Sequence, residues 1–219
     1  MLTARTSVGV VLLIVGLILA ILTGAAYIQP SRAIAEIRDA KENLVGRATF
    51  IQQTGGVDII VNVAGLSPGM HGIHVHAQGK CNPPDFATAG GHFNPEGKRH
   101  GLDGPEGPHA GDMPNLNVNP DGTGMLEYLN PRISLVPGAK NSLLKVNGTS
   151  IMIHDKVDDQ KTDPSGNSGT RIACGVILAD PTFAGLPLMV VAASAIILIV
   201  IGSAVIAAGH SKKTAPSTR

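Results

Sequence analysis

The chain has 219 residues, of which 43% are hydrophobic, 15% charged and only 3% aromatic, and its mean hydropathy of +0.20 is high for a wholly soluble protein. The net charge of +1 hides a split: Arg5, Lys212, Lys213 and Arg219 lie outside two long uncharged runs, whereas all 16 Asp and Glu lie between them. The intervening segment is therefore net negative, which argues against a basic nucleic-acid binder, and 27 Gly with 15 Pro argue against an all-helical domain.

The first run, Val8 to Ala26, has 19 uncharged residues, about 28 Å as a helix and just enough to span a bilayer. Arg5 before it and the small residues Gly24, Ala25 and Ala26 at its end suit a signal peptide equally well. Residues 1–28 are therefore read as a signal peptide or an N-terminal transmembrane anchor.

Residues 29–180 carry one domain's worth of ordinary globular sequence. Short apolar-alternating runs separated by Gly, Pro, Asn and Asp occur at Ala33 to Ile37, Leu44 to Gln52 and Val57 to Val63. More follow at Gly124 to Tyr128, after a turn at Asn119-Pro120-Asp121-Gly122, and at Ser150 to His154. This is an all-β signature, and by itself it allows any sandwich or barrel.

From Lys80 to Asn115 the alternation disappears in a stretch rich in Gly, Pro, His and Asp, and a loop that long in a compact domain is functional or disordered. Seven of the 8 histidines fall between residues 71 and 154. His74 and His76 end a strand pattern, where a period of two projects both imidazoles from one face, as a shared metal ion requires. His92, His100, His109 and Asp112 follow at spacings of 8, 9 and 3. Three imidazoles and a carboxylate are a complete tetrahedral set for zinc, and such a crosslink orders a loop with little apolar content. His154 again sits at a strand end.

The second apolar run, Leu186 to Ala208, has 23 residues, about 34 Å as a helix, and is followed by Lys212 and Lys213. Residues 181–209 are expected to hold a C-terminal transmembrane helix and residues 210–219 a short basic cytoplasmic tail. That orientation places the domain outside the cytoplasm, at the periplasmic side or the cell surface. Arg32, Arg38 and Lys41 outnumber Arg5 on the other flank of the first run, but a large domain translocates largely regardless of such charge. The only 2 cysteines, Cys81 and Cys174, agree with an oxidising location.

Gly72-Ile73-His74-Val75-His76, Ala89-Gly90-Gly91-His92-Phe93-Asn94-Pro95, His100-Gly101, His109-Ala110-Gly111-Asp112 and the stretch from Gly166 to Ile177 resemble the copper/zinc superoxide dismutase family, in that family's order. The resemblance runs from about Ala33 to Ile177 and is nearest in loop style to secreted prokaryotic members. It implies a Greek-key antiparallel eight-stranded β-barrel with long metal-binding loops, here flanked by two apolar helices. It implies copper at His74, His76, His92 and His154, with zinc at His92, His100, His109 and Asp112, His92 bridging the two. Asp158 matches the carboxylate that hydrogen-bonds a histidine on each metal, Cys81 and Cys174 match an intrachain disulfide, and Arg171 matches the arginine beside the copper channel.

The implied activity is conversion of superoxide to oxygen and hydrogen peroxide, in which His92 relays a proton and Arg171 attracts the anion. Imidazole suits both copper oxidation states, so a four-histidine site fits redox cycling. A copper-binding or delivery module without turnover is the alternative, disfavoured because storage needs neither Arg171 nor a bridging histidine. A copper-only dismutase is disfavoured by His100, His109 and Asp112 together. Lys156 and Lys161 read first as solvated loop lysines, with steering as the second reading. His71 and His210 match no metal position, His71 being expected to pack or hydrogen-bond beside the site, and Asn147-Gly148-Thr149 is a glycosylation sequon.

Overall fold

The computed structural model describes residues 32–182; both apolar runs, and with them the expected signal peptide or anchor and the C-terminal helix, lie outside these residues. Among the described residues no helix is long and apolar enough to cross a membrane. The chain forms β1 (Arg32–Asp39), β2 (Leu44–Gln53), β3 (Gly56–Val63), β4 (Gly69–His71), β5 (Ile73–His76), β6 (Leu116–Val118), β7 (Gly124–Asn130), β8 (Thr149–His154) and β9 (Arg171–Ala179). One 3-10 turn, Ala87–Ala89, is the sole helical element among them.

All strand pairs are antiparallel and follow the order β4-β6-β7-β3-β2-β1-β9-β8-β5. The two edge strands, β4 and β5, are consecutive in the chain and separated only by Gly72, so the sheet curls until its edges meet in a nearly closed barrel. Counted as one passage interrupted at Gly72, they reduce nine strands to the eight expected. The connections from β3 to β4, β5 to β6 and β7 to β8 each pass to a non-adjacent strand, as Greek-key connections do.

Alternation decides which face is inside. Ala33, Ala35 and Ile37 of β1, Ala48 and Phe50 of β2, and Val57, Ile59, Val61 and Val63 of β3 point into the core. Every residue of β5 and β8 is buried. Their inward residues, Ile73 opposite Ile153 and Val75 opposite Ile151, join the core. Their outward residues, His74 opposite Met152 and His76 opposite Ser150, are covered by the long loop from residue 77 to residue 115. The barrel thus presents histidines on a face that the loop then seals.

Each expected strand run is found in place. Three strands lie where the pattern reading puts none: β4 and β6 are only three residues long, and β9, between β1 and β8, is buried in succession from Ala173 to Gly175, which hides its alternation. The loop is held by a Cys81–Cys174 disulfide, Cα–Cα 5.6 Å. That bond belongs to a satellite cluster of Phe86, Ala89 and Met152 under the loop. Cys174 lies directly opposite Met152 in the sheet, so the bond fixes the loop to the outer face of β8 and β9.

Candidate metal centre

Backbone hydrogen bonds bring two remote loop segments onto β5. The Val75 N–H donates to the Gly111 carbonyl at 2.9 Å, and the Val75 carbonyl accepts the Phe93 N–H at 2.8 Å. The Gly111 N–H in turn donates to the Phe93 carbonyl at 2.8 Å. His92 and Asp112 are thereby drawn against His76 and His74. A side chain at position 111 would collide with the Val75 carbonyl, so only glycine permits this approach.

His74, His76, His92 and His154 each offer one nitrogen to a cluster whose atoms lie within 4.8 Å of one another. His74 Nδ1 and the Nε2 atoms of His76, His92 and His154 are buried without a hydrogen-bond partner. Their other nitrogens are engaged. His76 Nδ1–H donates to the Gly90 carbonyl at 2.9 Å, and His154 Nδ1–H faces the Gly169 carbonyl at 3.3 Å. His74 Nε2 lies 2.7 Å from Asp158 Oδ2, and His92 Nδ1 lies 3.0 Å from Asp112 Oδ1. The partners of His74, His76 and His154 fix their tautomers, and the free nitrogens of these three converge with Nε2 of His92. Four unpaired buried nitrogens are costly unless something binds them, and an all-imidazole donor set fits copper.

A second set meets at Asp112. Its Oδ1 lies 3.0 Å from the Nδ1 of His92, 3.0 Å from that of His100 and 3.4 Å from that of His109. His92 Nδ1 and His109 Nδ1 are 3.4 Å apart. An ion with bonds of about 2.0 Å has tetrahedral edges of roughly 3.3 Å, so this spacing suits zinc. Asp112 Oδ2 is held by the N–H groups of Gly101 and His109, both at 2.9 Å, which aims Oδ1 at the set. His74 also lies within 4.8 Å of His92, His100 and Asp112, but its Nε2 is taken by Asp158. His92 alone turns one nitrogen to each set.

Asp158 joins the sets from behind, with His74 Nε2 on Oδ2 at 2.7 Å and His100 Nε2 on Oδ1 at 3.0 Å. Asn115 clamps Asp158 through both its backbone N–H and its carbonyl, each at 2.8 Å, and the Gln160 N–H donates to Oδ1 at 2.6 Å. Sequence reasoning missed Asn115 and Gln160, which carry no spacing signal. His71, read as a neighbour of the site, is buried with Nδ1 2.7 Å from the His154 carbonyl and Nε2 2.9 Å from the Ser67 carbonyl.

Burial pushes His74 down to about 3 and His154 down to about 4, and it also lowers His76 and His92. The four-nitrogen set is therefore neutral and ready to donate lone pairs. His100 behaves oppositely: burial disfavours its charge, but Asp112 and Asp158 on its two nitrogens outweigh that and raise it to about 9. Burial likewise opposes ionisation of Asp112 and Asp158, yet their histidine hydrogen bonds hold both well below the usual carboxylate range.

Arg171 is half-buried, and its two terminal nitrogens donate to the carbonyls of Phe86 at 2.7 Å and Gly90 at 2.6 Å. It lines an open cleft with Asp85, Gly90, Gly91, Gly169 and Thr170. Gly91 precedes His92, and the Gly169 carbonyl faces His154, so the cleft borders the four-nitrogen set. Lys156 and Lys161 are exposed.

The family described as copper/zinc superoxide dismutase (SODC) matches residues 44–177. A Cu-Zn superoxide dismutase of Aquifex aeolicus is 48% identical over 158 residues, covering 72% of this chain and 92% of the relative. Among solved structures, a SOD-like protein from Bacillus subtilis superposes with a TM-score of 0.64 at 40% identity, covering 66% of this chain and 97% of the other. The Cu/Zn superoxide dismutase from Brucella abortus gives 0.54 at 32% identity, covering 67% and 99% respectively.

Proposed function

The chain belongs to the copper/zinc superoxide dismutase family, with copper and zinc as its metals, and from that premise we propose that it disproportionates superoxide outside the cytoplasm on a membrane-tethered domain. Two superoxide anions and two protons give one oxygen and one hydrogen peroxide. The observation that carries the reading is that His92 turns Nε2 to the four-histidine set and Nδ1 to Asp112, beside a cleft that presents Arg171.

Bound at His74, His76, His92 and His154, copper supplies one-electron redox chemistry, while zinc at His92, His100, His109 and Asp112 supplies a fixed charge and a crosslink. The residues do the rest. Arg171 places a guanidinium, pinned by the Phe86 and Gly90 carbonyls, where an entering anion meets it. When its Nε2 is not holding the metal, His92 would carry a proton there and pass it to the departing peroxide. Asp158 sets the orientation of His74 and His100 together. The loop and barrel exclude water from His74, His76 and His154, whose burial keeps them neutral.

Support for the location comes from the disulfide, which persists in oxidising compartments, and from Lys212 and Lys213 beyond the second apolar run. Protease added to spheroplasts, whose outer layers have been removed and whose cytoplasmic membrane is intact, tests it. Release of the domain, with loss of superoxide consumption at the cell surface, is expected. Protection of the domain until the cells are lysed would contradict the placement.

A further inference from the structure

The three imidazoles around Asp112 differ in what stands behind them. His92 turns its far nitrogen to the four-nitrogen set, and His100 rests its Nε2 on Asp158 at 3.0 Å. Behind His109 Nε2 stands Oδ1 of Asp163, at 3.7 Å. The same Asp163 oxygen accepts the backbone N–H of His100 at 2.7 Å. Asp163 belongs to the connection from β8 to β9, whereas His100 and His109 belong to the connection from β5 to β6. One carboxylate thus ties the second connection to two residues of the first.

Resting on the copper/zinc reading above, we propose that Asp163 is a positioning residue for the zinc centre. It fixes the backbone of His100 and stands as the outer carboxylate of His109, aiming His109 Nδ1 at the position shared with His92, His100 and Asp112. A cation on Nδ1 withdraws electron density from the ring, which makes Nε2–H a better donor and a carboxylate beside it worth more. Asp158 does this for His100 through a hydrogen bond at 3.0 Å, and Asp163 does it for His109 as a neighbouring charge at 3.7 Å. The side chain of Asp163 is 39% exposed, so its effect falls at the low end of the 10- to 100-fold change in metal affinity that such partners produce.

Substitution separates charge from scaffold. Asp163→Asn keeps an oxygen for the His100 N–H and loses the charge, whereas Asp163→Ala loses both. Zinc affinity of the full chain, measured by competition with a chromophoric chelator, is expected to fall about 10-fold in Asp163→Asn and further in Asp163→Ala, with copper affinity unchanged. The Nε2–H proton resonance of His109 in the zinc-loaded chain is expected to move upfield in Asp163→Asn. Wild-type zinc affinity and an unmoved resonance in Asp163→Asn would overturn this role and leave the metal reading intact. A wild-type chain that binds no zinc would overturn both.

Discussion

Asp158 Oδ2 lies 2.7 Å from His74 Nε2, and neither side chain has any solvent exposure. The contact belongs to a carboxylate whose other oxygen serves His100, so a single residue supports one histidine of each donor set.

Replacing Asp158 by Asn removes a negative charge from both rings at once. The affinity of both sets for metal is expected to fall by roughly 10- to 100-fold, read as metal retained after dialysis against a graded series of chelators. Equal retention by the variant and the wild-type chain would show that the carboxylate does not tune either site.

In the proposed reading Arg171, held by two backbone carbonyls, guides the substrate. Arg171→Ala is expected to keep both metals and to lose about tenfold in kcat/KM at low ionic strength, with a flatter dependence on salt. Arg171→Lys restores the charge but not the two-carbonyl fork, and it is expected to recover only part of the rate. Unchanged kinetics in the alanine variant would remove Arg171 from the account.

Acidity separates the two sets. The pKa of His100 is raised to about 9 in the metal-free fold, so its contribution to stability is complete below the unfolded value near 6.5 and is lost as pH rises through about 9. Zinc competes with the same proton, so zinc affinity rises over that window while metal-free stability falls. His74 and His154, lowered to about 3 and about 4, offer no such competition to copper above pH 5. Thermal unfolding with chelator and zinc titrations between pH 6 and pH 10 check this. A metal-free melting temperature and a zinc affinity that both stay flat would contradict it.

The disulfide closes a loop with a sequence separation of 93, which in the chain-entropy picture is worth up to about 4.6 kcal/mol. It also anchors the segment containing Phe86 and Gly90, whose carbonyls hold Arg171. Cys81→Ser with Cys174→Ser is therefore expected to lower the urea midpoint and to reduce turnover with the metals still bound. Loss of stability with full turnover would show that Arg171 is positioned without the disulfide.

His74 and His76 were legible because strand alternation puts both on one face, and His92, His100, His109 and Asp112 because they crowd a loop with little else to order it. Asp158, Arg171 and the cysteine pairing were legible through family resemblance, since nothing local marks them. Asn115 and Asp163 were not, because each acts across a tertiary contact, 43 and 63 residues from its partner, and Gln160, only 2 residues from Asp158, donates through its backbone N–H, which no residue type marks. Strand β9 was hidden because residues 173 to 175 are buried in succession, so its two faces do not alternate. The closure of the barrel at Gly72 follows from packing: a Cβ there would press on Ser168 and Asp158.

Superoxide decay followed by pulse radiolysis on the detergent-solubilised full chain, loaded with copper and zinc and analysed for metal, tests the central claim most directly. Fast copper-dependent decay with one copper and one zinc per chain is the predicted result. Both metals bound with no decay beyond that of free copper would contradict it and leave a protein that handles copper without turning over superoxide.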